Sequence, residues 1–170
     1  KRLVGEFSQF ARMPKIQKSE NDLPKLVDAT LFLYKEAHKH IHFQLQIVDD
    51  IPTFLFDAEQ IKRCLINLLD NAVAVLPDGG NIDIEVVREG ESVFLKVYDD
   101  GPGTTPEDKG RLFEPYFSTK KAGTGLGLAI VSTIVSDHNG YIRVHDNEPQ
   151  GSVFTIELPL QSSNAAKTEN

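Results

Sequence analysis

Between residues 57 and 76 the apolar positions Ile61, Cys64, Leu65, Leu68, Leu69, Ala72, Val73 and Leu76 form one continuous stripe at helical spacing. Asp57 followed by Gln60 reads as a capping box at its start, and Pro77, Asp78, Gly79 and Gly80 end it. The period then changes at once. Ile82, Ile84 and Val86, a turn at Glu89, Gly90 and Glu91, and then Val93, Leu95 and Val97 predict an antiparallel hairpin with one buried face. A helix with a single apolar face, running directly into a half-buried hairpin, has to lie on that sheet. The expected fold class is therefore α/β (α+β), a two-layer sandwich.

The flanking segments extend this pattern. Leu3, Val4, Phe7, Phe10 and Ala11 recur at helical spacing until Pro14 stops them, and the polar, aperiodic stretch that follows reads as a linker. Pro24 opens a second helix carrying Leu26, Val27, Ala29, Thr30, Leu33 and Ala37, and Phe43, Leu45 and Ile47 alternate with glutamines as a strand. Residues 101–125 are rich in Gly and Pro, with a short helical piece expected around 109–113, and are too long for a mere connector. An apolar helix at 126–137, a turn at Asn139-Gly140, and strands at 141–144 and 152–158 complete the chain before a small, polar tail. The sum is a mixed, mostly antiparallel sheet with three helices on one face. The expected division is an apolar helix at 1–14, a linker at 15–22, one domain at 23–160 and a disordered tail at 161–170.

Composition bounds the function. A chain of 170 residues, 40% of them hydrophobic, holds one sizeable core. A formal charge of -7 excludes a basic field able to hold a nucleic-acid backbone, so no nucleic acid is expected as the main ligand. Nucleotides are not excluded, because a metal ion and local N–H groups can supply positive potential. One cysteine, Cys64, precludes an internal disulfide or a cysteine zinc cluster and fits a reducing compartment. No apolar run approaches the ~20 residues that span a bilayer. The chain starts at Lys1 rather than Met, so it is expected to be excised from a longer protein, cytoplasmic in location, with any membrane anchor upstream.

Three clusters could carry chemistry. Asn67 and Asn71, four residues apart, place two amides on one helix face away from the apolar stripe, where their oxygens could meet a hard cation. Asp99-Asp100-Gly101-Pro102-Gly103 sets a carboxylate at a strand end beside glycines that let backbone approach a ligand. Gly123-Thr124-Gly125-Leu126-Gly127 opens a helix, where unpaired N–H groups and the positive helix end suit phosphate, with Lys120 and Lys121 just before. Taken singly, these are also what a solvated amide pair, a turn and a tightly packed helix start look like.

Their order is more specific. Asn67 to Asn71, Asp99 to Gly103, Leu112-Phe113-Glu114-Pro115-Tyr116-Phe117, Gly123 to Gly127 and Gly151-Ser152-Val153-Phe154 resemble the N, G1, F, G2 and final glycine boxes of the histidine kinase catalytic domain. This is a branch of the GHKL (HATPase) superfamily that also holds DNA gyrase, MutL and the large heat-shock chaperones. The run from Leu3 to Pro14 resembles the end of the dimerisation hairpin in nitrogen-regulation type (NtrY-like) sensor kinases.

The resemblance implies a Bergerat-type fold that binds ATP with Mg2+ and transfers the γ-phosphoryl group to a histidine on a separate dimerisation domain, of the same or a partner chain, for relay to a response regulator. It implies that Asp99 accepts from the adenine amino group while Gly101 and Gly103 let the loop wrap the base. Asn71 holds the metal with Asn67 beside it, and Lys120, Thr124, Gly125, Leu126 and Gly127 cap the phosphates, so that Gly127→Ala is expected to hurt binding sterically. Residues 104–122 form the ATP lid, anchored by Phe113 and Phe117. ATP-hydrolysing relatives carry Glu where this chain has Asn67, and an amide cannot deprotonate water, which favours transfer over hydrolysis. An ATP-hydrolysing switch and a non-catalytic nucleotide-binding module are the alternatives. Ala74, where many relatives carry a phosphate-touching basic residue, and Thr104-Thr105, in place of a frequent hydrophobic residue, depart from the pattern and put more weight on Lys120 and Lys121. None of the five histidines lies in an acceptor motif, and each is expected to be a surface or satisfied structural residue. The whole protein is expected to be a homodimer, and this chain alone a monomer.

Overall fold

A computed structural model describes residues 13–117 and 126–162. In chain order the elements are β1 (Ser19–Asn21), α1 (Leu23–Ala37), β2 (Ile41–Val48), β3 (Phe54–Phe56), α2 (Ala58–Ala74), β4 (Gly80–Glu89), β5 (Ser92–Asp99), α3 (Pro106–Lys109), α4 (Gly127–Asp137), β6 (Tyr141–Asp146) and β7 (Ser152–Pro159). The main sheet has five strands in the order β2-β4-β5-β7-β6. Only β2 and β4 run parallel, and the chain between them crosses over through α2, as a parallel pair requires. The other three pairs are antiparallel.

Period-2 alternation sorts the sheet into two faces. Ile84, Val97, Phe154 and Val144 lie side by side across four strands, as do Val86, Leu95, Ile156 and Ile142. Against this face pack α1 through Leu23, Val27 and Leu31, α2 through its predicted stripe, and α4 through Ile130, Val131, Ile134 and Val135. The expected two-layer arrangement with three helices on one face is the observed one. The core-face row at the sheet's end joins Ile82, Asp99, Ser152 and Asp146, so alternation itself carries Asp99 to the side covered by the helices.

Two local differences have physical causes. Within the stretch read as a linker, Ser19–Asn21 pairs antiparallel with Phe54–Phe56. Its side chains are polar, so the pairing rests on the main-chain ladder and on Asn21 Nδ2 donating to Phe56 O at 2.8 Å. The other side of this strand is also engaged, since Leu55 N donates to Gln161 O at 2.7 Å. The short helix lies at Pro106–Lys109 rather than 109–113, because Thr105 Oγ1 accepts from Asp108 N at 3.2 Å and Pro106 suits the first helical position. Residues 1–12 and 163–170, with most of the first predicted helix and of the tail, lie outside the described residues. Among the described residues no helix is long and apolar enough to cross a membrane.

Candidate functional site

The amide pair rests on a firmly placed helix. Asp57 caps α2 through Oδ1, which accepts from Gln60 N at 3.2 Å, while Oδ2 accepts from Gln17 N at 2.8 Å. The capping box is only half made. The Asp57 N–H donates not to Gln60 but to Nε2 of His138 at 3.0 Å, and Gln60 Oε1 is buried with no partner among the described residues. His138 Nδ1 lies 2.8 Å from Ile134 O, so the ring is neutral with its proton on Nδ1. Burial, first of all, holds His138 below the ordinary histidine value. Further along, Tyr34 of α1 donates its hydroxyl to Asp70 at 2.5 Å, beside Asn71. Burial and then that bond push the Tyr34 hydroxyl up. Asn67 and Asn71 are half-buried on the helix that these two fixings hold.

Asp99 ends β5 and is 5% exposed. Its Oδ1 accepts from Gly101 N at 3.0 Å and Ser152 N at 3.3 Å. The next carboxylate faces elsewhere: Asn81 donates its main-chain N–H to Asp100 Oδ1 and its Nδ2 to Oδ2, both at 2.8 Å. Burial pushes the Asp100 carboxyl up, but these bonds outweigh it and hold the group below the usual range. Gly101 runs so close to the end of α2 that a Cβ would sit 2.8 Å from Val75 Cγ2. The loop of Asp99 and the amide helix therefore share one wall.

The start of α4 closes on the same place. A Cβ on Gly127 would lie 3.7 Å from Asn67 Oδ1, which puts the helix N-terminus beside the amide pair. That distance is an ordinary contact, so the described residues leave room for a methyl group at 127. Leu126 is wholly buried, so only its main chain could serve a ligand. Lys120, Thr124 and Gly125 lie outside the described residues. Phe113 meets the core edge-on against Phe154, with centroids 6.4 Å apart, and Leu112 beside it is buried. Phe117 packs on the core and carries the Arg111 guanidinium 4.6 Å from its ring centroid.

Among the described residues no group of three or more His, Cys, Asp or Glu side chains could hold a metal. Two amide oxygens on one helix nevertheless fit Mg2+, which takes few protein ligands and completes its shell from phosphate and water.

Sequence reasoning missed Asn81, Asn147 and Gln150, which hold the main chain and carboxylate of Asp99-Asp100. It also missed the partner of His138.

The family described as histidine kinase-, DNA gyrase B-, and HSP90-like ATPase matches residues 56–162. The chain belongs to this family, as the ATP-binding catalytic domain of a two-component sensor histidine kinase. It is 38% identical over 168 residues to nitrogen regulation protein NtrY of Azorhizobium caulinodans, covering 95% of this chain and 22% of that protein. It is 35% identical over 171 residues to sporulation kinase E of Bacillus subtilis, covering 99% of this chain and 23% of that protein. The chain thus spans less than a quarter of the length of these relatives. The solved catalytic domain of histidine kinase ThkA superposes with a TM-score of 0.79 at 32% identity, covering 85% of this chain and 97% of that one. ThkA in complex with response regulator protein TrrA gives 0.83 at 27% identity, covering 94% and 47%.

Proposed function

We propose that this domain binds ATP with Mg2+ and delivers the γ-phosphoryl group to a histidine presented by a dimerisation domain. The observation that carries the reading is convergence: the Asp99 loop packs on the end of α2, and the N-terminus of α4 lies beside Asn67 on the same helix. The base would be read at Asp99, with Gly101, Gly103 and Phe117 around it. Asn71 would hold the metal with Asn67 beside it, and the chemistry of that metal when bound is to neutralise phosphate charge. Lys120 and the segment from Thr124 to Gly127 would meet the phosphates through N–H groups and charge.

In the transfer, a histidine nitrogen bonds to the γ-phosphorus as the bond to the β,γ-bridging oxygen breaks, and ADP leaves with that oxygen. The attacking nitrogen already carries a lone pair, whereas water needs a base. Asn67 cannot act as one, which supports transfer over hydrolysis. His138 is not the acceptor, since both its ring nitrogens are engaged in the core.

The partners follow from this chemistry: the phosphoacceptor hairpin of the same or a partner chain, and a response regulator that takes the phosphoryl group onward. The parent protein would be a homodimeric, NtrY-like sensor with this domain in the cytoplasm, reaching the membrane only through upstream regions. The test is to mix the chain with a separately expressed acceptor hairpin and γ-labelled ATP. Acid-labile, base-stable label on the hairpin is expected. Rapid phosphate release without it, and no labelled hairpin, would favour a hydrolysing switch.

A further inference from the structure

The geometry points to the connection between β6 and β7 as the element that positions the base-reading strand end, through Asn147 and Gln150. Asn147 Nδ2 donates to the main-chain carbonyl of Asp99 at 2.9 Å, and Gln150 Nε2 donates to that of Asp100 at 2.9 Å. The Asn147 amide can face only one way, because its Oδ1 accepts from Glu148 N, also at 2.9 Å. Gly151 makes the approach possible: its φ is +109°, and a Cβ there would overlap the Asp99 carbonyl. Two consecutive carbonyls at the end of β5 are thus gripped by side chains from one loop. Next to them the Asp99 carboxylate is aimed by N–H groups of Gly101 and of Ser152, the residue that follows this loop.

The strand ends that flank this loop also touch the start of the segment read as the lid. Asp146 pairs with Lys109 Nζ of α3 at 2.5 Å, and Thr104 Oγ1 lies 3.4 Å from Ser152 Oγ. Asn147 and Gln150 are positioning residues, since neither is required to touch the nucleotide. This role rests on Asp99 reading the adenine ring. If it does, a small turn of the strand end changes base recognition before it changes phosphate binding.

The test uses the whole 170-residue chain with Asn147→Asp, Gln150→Glu and Asp99→Asn. Asn147→Asp keeps the acceptor for Glu148 N, while the donor to Asp99 is replaced by a carboxylate oxygen that carries a negative charge. Gln150 is exposed, so its variant leaves the core untouched. Calorimetry with ADP, GDP and inorganic triphosphate, beside melting temperatures, reads the result. Each loop variant is expected to weaken ADP by roughly three- to tenfold, the order of one lost hydrogen bond. Triphosphate and GDP affinity should hold, so that preference for adenine narrows. Unchanged ADP affinity in both loop variants, or parallel loss of ADP and triphosphate with a lower melting temperature, would overturn the positioning role. If Asp99→Asn weakens ADP while the loop variants do not, only that role fails. If Asp99→Asn has no effect, the base-reading assignment falls and takes this proposal with it.

Discussion

The main-chain N–H of Asp57 donates to Nε2 of His138 at 3.0 Å, joining the start of α2 to the end of α4. The far part of α2 carries Asn67 and Asn71, and the opposite end of α4 is Gly127. One buried hydrogen bond between residues 81 apart in sequence thereby ties together the two helices that carry the halves of the proposed phosphate site.

That bond needs a neutral ring, and it makes stability depend on pH. Burial keeps the folded His138 value below the ordinary one, with Lys18 nearby acting in the same sense and Asp57, Asp137 and the bond to Ile134 acting against it. In the unfolded chain the ring titrates near ~6.5. As pH falls through that value the unfolded state takes up a proton that the folded state refuses. The contribution is therefore complete above ~6.5 and is lost on acidification. Urea midpoints should fall between pH 7.5 and 5.5, and His138→Gln should flatten that slope while lowering stability by about 1–3 kcal/mol at pH 7.5. An identical slope in the variant would contradict the assignment.

Asp99→Asn keeps an oxygen for the Gly101 and Ser152 N–H groups, so the fold should persist. What changes is the charge that accepts from the adenine amino group. Calorimetry should show ATP binding roughly tenfold to a hundredfold weaker, the worth of a hydrogen bond to a charged group.

Gly127→Ala separates the protein's needs from the ligand's. With only an ordinary contact to Asn67 among the described residues, an added methyl should leave the melting temperature unchanged or raise it slightly, since Ala is favoured over Gly in a helix by roughly 0.5–1 kcal/mol. Phosphate approaching the helix start would meet that methyl, so ATP affinity should fall. A stable variant with unaltered affinity would place the phosphates elsewhere.

Gly151→Ala should be the most damaging of these changes. A left-handed φ of +109° and overlap with the Asp99 carbonyl both oppose a side chain, and a loss of about 3 kcal/mol or more is expected in a denaturant titration. A wild-type midpoint would show that the loop relaxes freely.

Much of the fold was legible because its signals are local. The stripe of α2 and the alternation of β4 and β5 follow from side-chain period alone, and these elements place Asn67, Asn71 and Asp99. What escaped is held by long-range bonds to main chain, which leave no periodic trace. Asn147 and Gln150 carry no local signal, since their partners lie 48 and 50 residues away. Strand β1 is three polar residues whose pairing lies in the ladder. The capping box at Asp57 was half right, because a distant histidine took the place that Gln60 would fill. His138 is expected from the sequence to be either a surface or a satisfied structural residue and is the second, though only the fold reveals what satisfies it.

The most direct test of the proposed site is a crystal structure of this chain with Mg2+ and a non-hydrolysable ATP analogue. The adenine amino group should lie within hydrogen-bonding distance of Asp99, the phosphates should reach the start of α4 at Gly127, and the metal should contact Asn71. A nucleotide bound away from Asp99, or with its phosphates turned from α4, would contradict the account.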